Sequence, residues 1–161
     1  QAQKTRILTG GKHMTILEKL HELLANDDIA GEIDSSDGTE TLRIAPDRMG
    51  PDNDGVVVME ICRVPIDDDE GCGYYQLYTT IFKELETERY PEMLVALNEI
   101  NLSTVLGNYG ILATHQMLYH KYVMRLPACA DGDTVKALQG TVYDILGIID
   151  NDMLELAKAI D

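Results

Sequence analysis

The chain has 161 residues, of which 45% are hydrophobic and 25% charged, and 28 acidic against 13 basic side chains give a formal net charge of −15. This length suffices for one domain, and no apolar run approaches the roughly 18 residues that a membrane span needs. So many carboxylates repel nucleic-acid phosphates and anionic lipid surfaces, which disfavours nucleic-acid and membrane binding. The same charge either favours a basic or amphipathic polypeptide as a partner or merely keeps the protein soluble.

The first 13 residues differ in charge from the rest of the chain. They contain Lys4, Arg6 and Lys12 and no acidic residue, and they end in His13, directly before Met14. His-Met is the junction that a common cloning site leaves before a native initiator, so we interpret residues 1–13 as an expression-vector remnant, with a native N-terminal arm as the alternative. Residues 14–161 then form a single α+β domain with 10 basic and 28 acidic residues, a net charge of −18.

A capped amphipathic helix is predicted over residues 15–26. Thr15 and Glu18 have the spacing of a capping box, in which each side chain accepts a hydrogen bond from the backbone N–H of the other residue. The apolar residues of this segment share one helical face: Ile16, Leu17, Leu20, Leu23 and Leu24. A turn at residues 35–38 then leads into a strand predicted over residues 41–45.

Two apolar strands are predicted in the middle of the chain. Residues 56–64 are apolar and β-branched and are followed by Pro65, which favours a well-buried strand. After an acidic loop at residues 67–71, a longer strand is predicted over residues 74–85. Neither of its two faces is polar and only three helices are available as cover, so this strand predicts a contact between subunits and therefore a homodimer. The alternation places side chains on the two faces as follows: Tyr74, Tyr78 and Phe82 on one, Tyr75, Leu77 and Ile81 on the other.

The second half of the chain predicts a helix, a hairpin and a long final helix. Pro91 sits in the first turn of a helix over residues 91–105, and two strands follow at residues 108–114 and 118–126. Beyond residue 133, apolar residues recur every three or four positions, which predicts one helix to the C-terminus. Its stripe of small residues, Ala137, Gly140 and Gly147, indicates either a closely packed neighbouring element or simple tolerance of glycine. The order α-β-β-β-α-β-β-α predicts an α+β fold with helices packed on an antiparallel sheet.

Residues that commonly carry catalysis or bind metals form no recognisable motif. Cys62, Cys72 and Cys129 lack paired spacing, which disfavours disulfides and zinc and favours a reducing, cytoplasmic location. The histidines and serines lack the spacing of a zinc metalloprotease motif and of a nucleophile elbow. The acidic stretches 52–55 and 67–70 lack the ligand spacing of an EF-hand, so we interpret them as solvated loops, with calcium binding as the alternative. We therefore expect no catalytic residue, no metal and no cofactor.

The element order, small size and acidity together resemble the type III secretion chaperone-like fold. Within that fold, three stretches are similar to the YbjN-like group of bacterial sensory-transduction regulators. They are residues 90–101 with Leu97, Asn98 and Asn101, the segment 107–110 (Gly-Asn-Tyr-Gly) and the hairpin ending at residues 125–127 (Arg-Leu-Pro). The resemblance implies a non-catalytic, dimeric protein that binds another polypeptide, either an unfolded client or a regulatory partner. Asn98 and Asn101 are also placed to satisfy the backbone of the turn after their helix, which needs no ligand.

Two classes of function follow from these observations. The first is a chaperone-like or regulatory module that binds a polypeptide through apolar surface, and its expected partner-binding residues are Leu20, Leu24, Tyr74, Tyr78 and Phe82. The second is a small-molecule-binding protein or an enzyme whose pocket is lined by tyrosines, namely Tyr75, Tyr109, Tyr119 or Tyr122. We prefer the first class because the chain lacks a recognisable catalytic constellation.

Overall fold

The computed structural model describes residues 13–66 and 71–161. In this part of the chain, three α-helices and six strands follow one another in the order α-β-β-β-β-α-β-β-α. The predicted α+β class is therefore confirmed, and the predicted element order holds from residue 41 onward. The elements are α1 (Ile16–Asn26), β1 (Gly31–Asp34), β2 (Thr41–Ile44), β3 (Val58–Val64), β4 (Cys72–Phe82), α2 (Tyr90–Ser103), β5 (Asn108–Leu112), β6 (Met117–Pro127) and α3 (Gly132–Ile160).

The first strand, β1, is the element that the sequence did not predict. Its four residues include Gly31, Glu32 and Asp34, which are poor strand formers, so no apolar alternation marks it. It forms by pairing with β2, where Glu32 lies opposite Arg43 and the two side chains form an ion pair of 3.0 Å. A favourable cross-strand pair thus supports a segment whose own propensity for a strand is weak.

The six strands form one sheet in the order β1-β2-β3-β4-β6-β5, and every neighbouring pair is antiparallel, as predicted. The two longest strands, β4 and β6, have 11 residues each and lie side by side. Because cross-strand partners share a face of the sheet, the register decides which side chains point the same way.

The two faces of the sheet differ sharply in burial. On one face, which we call the core face, Ile61, Leu77 and Leu118 are fully buried, and they belong to one hydrophobic cluster with residues of α1, α2 and α3. The opposite face, which we call the open face, carries no buried residue anywhere in the described strands. It comprises Thr41, Arg43, Val58, Glu60, Cys62, Val64, Tyr74, Gln76, Tyr78, Thr80, Tyr119, Lys121, Val123 and Arg125.

The helix ends follow the local chemistry of the sequence. The capping box predicted for α1 is present, with Thr15 accepting from the Glu18 backbone and Glu18 accepting from the Thr15 backbone. α3 is 29 residues long, and Asp131 caps it by accepting a hydrogen bond from the Thr134 backbone. The Cys129 thiol also donates to Asp131, and these bonds lower the pKa of Asp131 to about 2.

The small residues of α3 do not mark a close packing contact. A Cβ atom added at Gly140 or Gly147 would meet no other atom within 4 Å. Both glycines are exposed, so the explanation by tolerance holds and the explanation by a closely packed neighbour is wrong.

Two further observations concern the described residues as a whole. Among them, no helix combines the length and apolar character required to cross a membrane. The same residues contain no group of three or more histidine, cysteine, aspartate or glutamate side chains arranged to hold a metal ion. The acidic stretch 67–70, whose alternative interpretation was calcium binding, lies outside the described residues.

Candidate functional site

The centre of the open face is aromatic. Tyr78 on β4 and Tyr119 on β6 stack with their ring centroids 4.9 Å apart and their planes 21° apart. Tyr119 also lies over Gly110 of β5, where an added Cβ would come within 2.6 Å of the tyrosine oxygen. Glycine at this position therefore lets the ring lie flat on the sheet, and the aromatic surface extends across three strands.

Apolar residues continue this surface along the two central strands. Tyr74 lies on β4 and Val123 on β6, and Val123 is 39% exposed although it sits in the interior of a long strand. The hydroxyl oxygen of Tyr78 is buried without a hydrogen-bond partner, and burial raises the pKa of this tyrosine. The rings of this patch offer apolar area to another polypeptide, whereas the Tyr78 hydroxyl lies below the surface.

The β1–β3 side of the open face is charged. Arg43 bonds Glu60 at 2.7 Å and Glu32 at 3.0 Å, so one guanidinium joins three neighbouring strands. These bonds raise the pKa of Arg43. A groove of about 340 Å³ runs beside it, and its wall contains three carboxylates against this single cation: Asp34, Asp37 and Glu60. This side of the open face therefore attracts positive charge.

The structure brings together only two of the five residues predicted to bind a partner. Tyr74 and Tyr78 both lie on the open face. A β-bulge between Thr80 and Phe82 shifts the register, so Phe82 pairs with the fully buried Leu118 and packs against the core. The expectation that Phe82 shares a face with the two tyrosines is wrong, because a bulge breaks the simple alternation of side chains.

The other two predicted residues are inside the core. Leu20 and Leu24 are both 0% exposed. The expectation that the first helix keeps part of its apolar face free is wrong, because α1 packs this face against the sheet and α3. In the folded protein these leucines support the domain and are not available as a binding surface.

The four tyrosines of the alternative pocket do not line a common cavity. Tyr75, Tyr109 and Tyr122 lie on the core face, whereas Tyr119 lies on the open face. Tyr109 donates a hydrogen bond of 2.8 Å to Asp152 of α3, and burial together with this bond raises its pKa. These contacts give Tyr109 a structural role between sheet and helix.

A second apolar surface, on α2, was missed by sequence reasoning. Its outward-facing residues are unusually exposed, and we call them the α2 ridge: Leu94 (51% exposed), Val95 (67%), Leu102 (76%) and Val105 (84%), the last just beyond the helix. The sequence did contain a signal, because apolar residues occur on nearly every side of this helix. The structure buries Met93 and Leu97 on its inner face and leaves the α2 ridge outside. Helices with that pattern are normally covered on all sides.

Asn101 of α2 ties this helix to the edge strand β5. Its side-chain amide donates to the Tyr109 carbonyl at 3.0 Å and accepts from the Tyr109 N–H at 2.7 Å, as a neighbouring strand would. The expected structural role of Asn101 is therefore confirmed in kind, although its partner is the strand after the turn. Asn98 is exposed, so it does not share this role.

The sheet interior contains a buried histidine. His120 is 0% exposed, and its Nε2 lies 2.7 Å from the carbonyl oxygen of Leu106, which requires Nε2 to be the donor. Its Nδ1 and the hydroxyl of Thr79, directly opposite on β4, are buried without partners. Burial lowers the pKa of His120, so the ring is neutral at pH 7.

The thiol of Cys62 is poorly suited to nucleophilic chemistry. Burial, with Glu60 and Asp37 nearby, raises the pKa of Cys62 on the open face and suppresses the reactive thiolate. All three cysteines are free, and Cys129 is the exposed one.

A comparison of the sequence with protein-family models found no match, and neither did a comparison with curated proteins.

Proposed function

We propose that this protein is a non-catalytic polypeptide-binding module, chaperone-like or regulatory, whose binding surface is the open face of the sheet. The observation that carries the proposal is that the buried residues of the described strands all lie on the other face, while no described residue covers the aromatic surface built on β4, β6 and β5. Uncovered apolar surface of this kind typically marks an interaction site. We place the protein in the cytoplasm because it has three free cysteines.

The partner that fits this face is a basic, amphipathic segment. Its apolar side chains would pack on Tyr74, Tyr78 and Tyr119, and its cationic side chains would enter the acidic groove beside Glu60. The chain's net charge of −15 steers such a segment toward the protein. The resemblance to chaperone-like proteins and YbjN-like regulators supports a polypeptide partner, and nucleic acid and membranes remain disfavoured by charge.

A fluorescent peptide of alternating lysine and leucine tests this proposal by fluorescence anisotropy. We expect it to bind the parent protein, more weakly at high salt, and we expect a glutamate-leucine peptide not to bind. Val123→Lys places a charge on the open face and should weaken binding at least tenfold. Leu154→Lys changes an apolar α3 residue of similar exposure (49%) and should leave it unchanged. Equal binding of both peptides, or equal effects of both variants, contradicts the proposal.

We also propose that the protein is a homodimer, and the α2 ridge is the surface best suited to that contact. Leu94 and Leu102 stand four residues to either side of the exposed Asn98. Two copies of α2 packed antiparallel about a two-fold axis near Asn98 would therefore place Leu94 of each copy against Leu102 of the other. This spacing is self-complementary, as a contact between identical subunits requires.

A further inference from the structure

A cleft of about 900 Å³ lies on the helix side of the sheet. Its walls are the first turn of α1, the end of β3 with the residues after it, and the loop before α3. Three other clefts have volumes of only about 250 to 350 Å³. The larger cleft has the size of a small-molecule site, which typically spans roughly 300–1,000 Å³.

The walls of this cleft combine apolar surface with a local excess of positive charge. Leu17, Ile66 and Tyr75 are among its apolar lining residues. Among the described lining residues, the charged side chains are Lys19 and Arg63 against Glu40. Lys19 already donates to the Ala130 carbonyl, which leaves Arg63 as the cation that faces the cleft without a described partner. The Glu40 carboxylate already accepts a 2.7 Å hydrogen bond from Thr15.

The Arg63 side chain extends over a glycine on the neighbouring strand. An added Cβ at Gly73 would lie 3.0 Å from Arg63 Nε, so the absence of a side chain there lets the arginine extend across β4. Tyr75, its cross-strand partner, forms the adjacent floor. Within the described part of the chain Arg63 has no ion pair, whereas Arg43 on the open face is held between two carboxylates.

We propose that this cleft binds a small monocarboxylate that carries an apolar chain or ring. An arginine guanidinium presents two parallel donors that match the two oxygens of a carboxylate. The apolar walls accept the remainder of the ligand, and one guanidinium without an ion pair among the described residues suits a single carboxylate better than a dianionic phosphate. Val64, at the end of β3, is the one described residue that both lines the cleft and belongs to the open face as defined above, so the site goes beyond the proposed polypeptide-binding function and does not depend on it.

Titration calorimetry with octanoate tests the proposal, with octanol and octylamine as ligands that keep the apolar chain and remove or reverse the charge. We expect octanoate to bind and both other ligands to bind at least tenfold more weakly. Arg63→Gln should weaken octanoate binding at least tenfold, because charge-assisted hydrogen bonds carry most of the discrimination. Arg48→Gln removes the same charge from an exposed arginine outside the cleft and should change nothing.

Gly73→Ala provides a second variant that keeps the charge and places a methyl group 3.0 Å from Arg63 Nε, so the guanidinium must shift by a few tenths of an ångström and octanoate binding should weaken less than in Arg63→Gln. Circular dichroism melts of each variant establish that it is folded before it is titrated. Equal binding of octanoate and octanol, unchanged binding by Arg63→Gln in a folded protein, or no binding of octanoate at millimolar concentration overturns the proposal. Val123→Lys on the open face should leave octanoate binding unchanged, which separates the outcome from that of the polypeptide-binding experiment.

Discussion

Replacement of Asn101 by alanine is the sharpest test of how α2 is held to the sheet. The substitution removes both hydrogen bonds between the Asn101 amide and the Tyr109 backbone. Tyr109 is only 2% exposed, so water has little access to the N–H and C=O groups that lose their partners. An orphaned buried polar group costs about 1–3 kcal/mol, so we expect a loss of about 2–4 kcal/mol in the free energy of unfolding.

Urea denaturation followed by circular dichroism measures this loss directly. For a chain of this length each kcal/mol lowers the melting temperature by about 2–4 °C, so we expect a decrease of roughly 5–15 °C. Asn151→Ala is the matched control, since it makes the same chemical change at an exposed helical position of α3, away from the α2 ridge. It should change the free energy of unfolding by no more than about 0.5 kcal/mol.

Asn101→Asp separates the two hydrogen bonds. The aspartate keeps an acceptor for the Tyr109 N–H but places negative charge against the Tyr109 carbonyl, so this variant should also be destabilised. Amide hydrogen exchange of Tyr109 should accelerate in Asn101→Ala and not in Asn151→Ala, because only the former uncovers the strand edge. If Asn101→Ala and Asn151→Ala unfold at the same urea concentration, the strand-like pairing contributes no stability and the reasoning fails.

Three further predictions concern a histidine, a glycine and the quaternary structure. The pKa of His120 is lowered on folding, so the unfolded state binds more protons below the ordinary histidine pKa of 6.5. Stability should therefore fall between about pH 7.5 and 5.5, and this dependence should shrink in thermal melts of His120→Gln but persist in His115→Gln. Gly107→Ala should lower the free energy of unfolding by more than about 3 kcal/mol, and Gly38→Ala should lower it by only about 1 kcal/mol. Both glycines have positive φ, but only at Gly107 would an added Cβ collide with the Lys121 carbonyl oxygen. Equal urea midpoints of the two variants would contradict this. Light scattering at micromolar concentration should give twice the chain mass of 17.9 kDa, reduced to one chain by Leu102→Glu, and a parent mass of one chain would refute the dimer.

Local sequence patterns determined most of the secondary structure. The capping box of Thr15 and Glu18, Pro91 in the first turn of α2 and the regular apolar spacing after residue 133 each act over a few residues, so they can be recognised without knowledge of the fold. The alternation of β4 was also correct from Tyr74 to Thr80. These signals are strong because short-range sterics and hydrogen bonding produce them.

Only the tertiary structure decided which of these elements has an uncovered surface. The sequence shows that Leu20 and Leu24 share an apolar face, but their burial depends on α3, which lies more than 100 residues later in the chain. Likewise, the bulge that removes Phe82 from the tyrosine face arises from pairing with β6.

The same limit applies to the surfaces on which the functional proposals rest. An apolar stripe has the same sequence pattern whether it is covered or free, so the exposure of the α2 ridge could not be derived from the spacing of Leu94 and Leu102. Nor does the spacing of Arg63 and Gly73 reveal that the two meet across neighbouring strands. The sequence by itself therefore determined most of the elements and most of the shared faces, with β1 and the end of β4 as exceptions. Long-range packing decided which faces are left for a partner, because burial depends on residues distant in the chain.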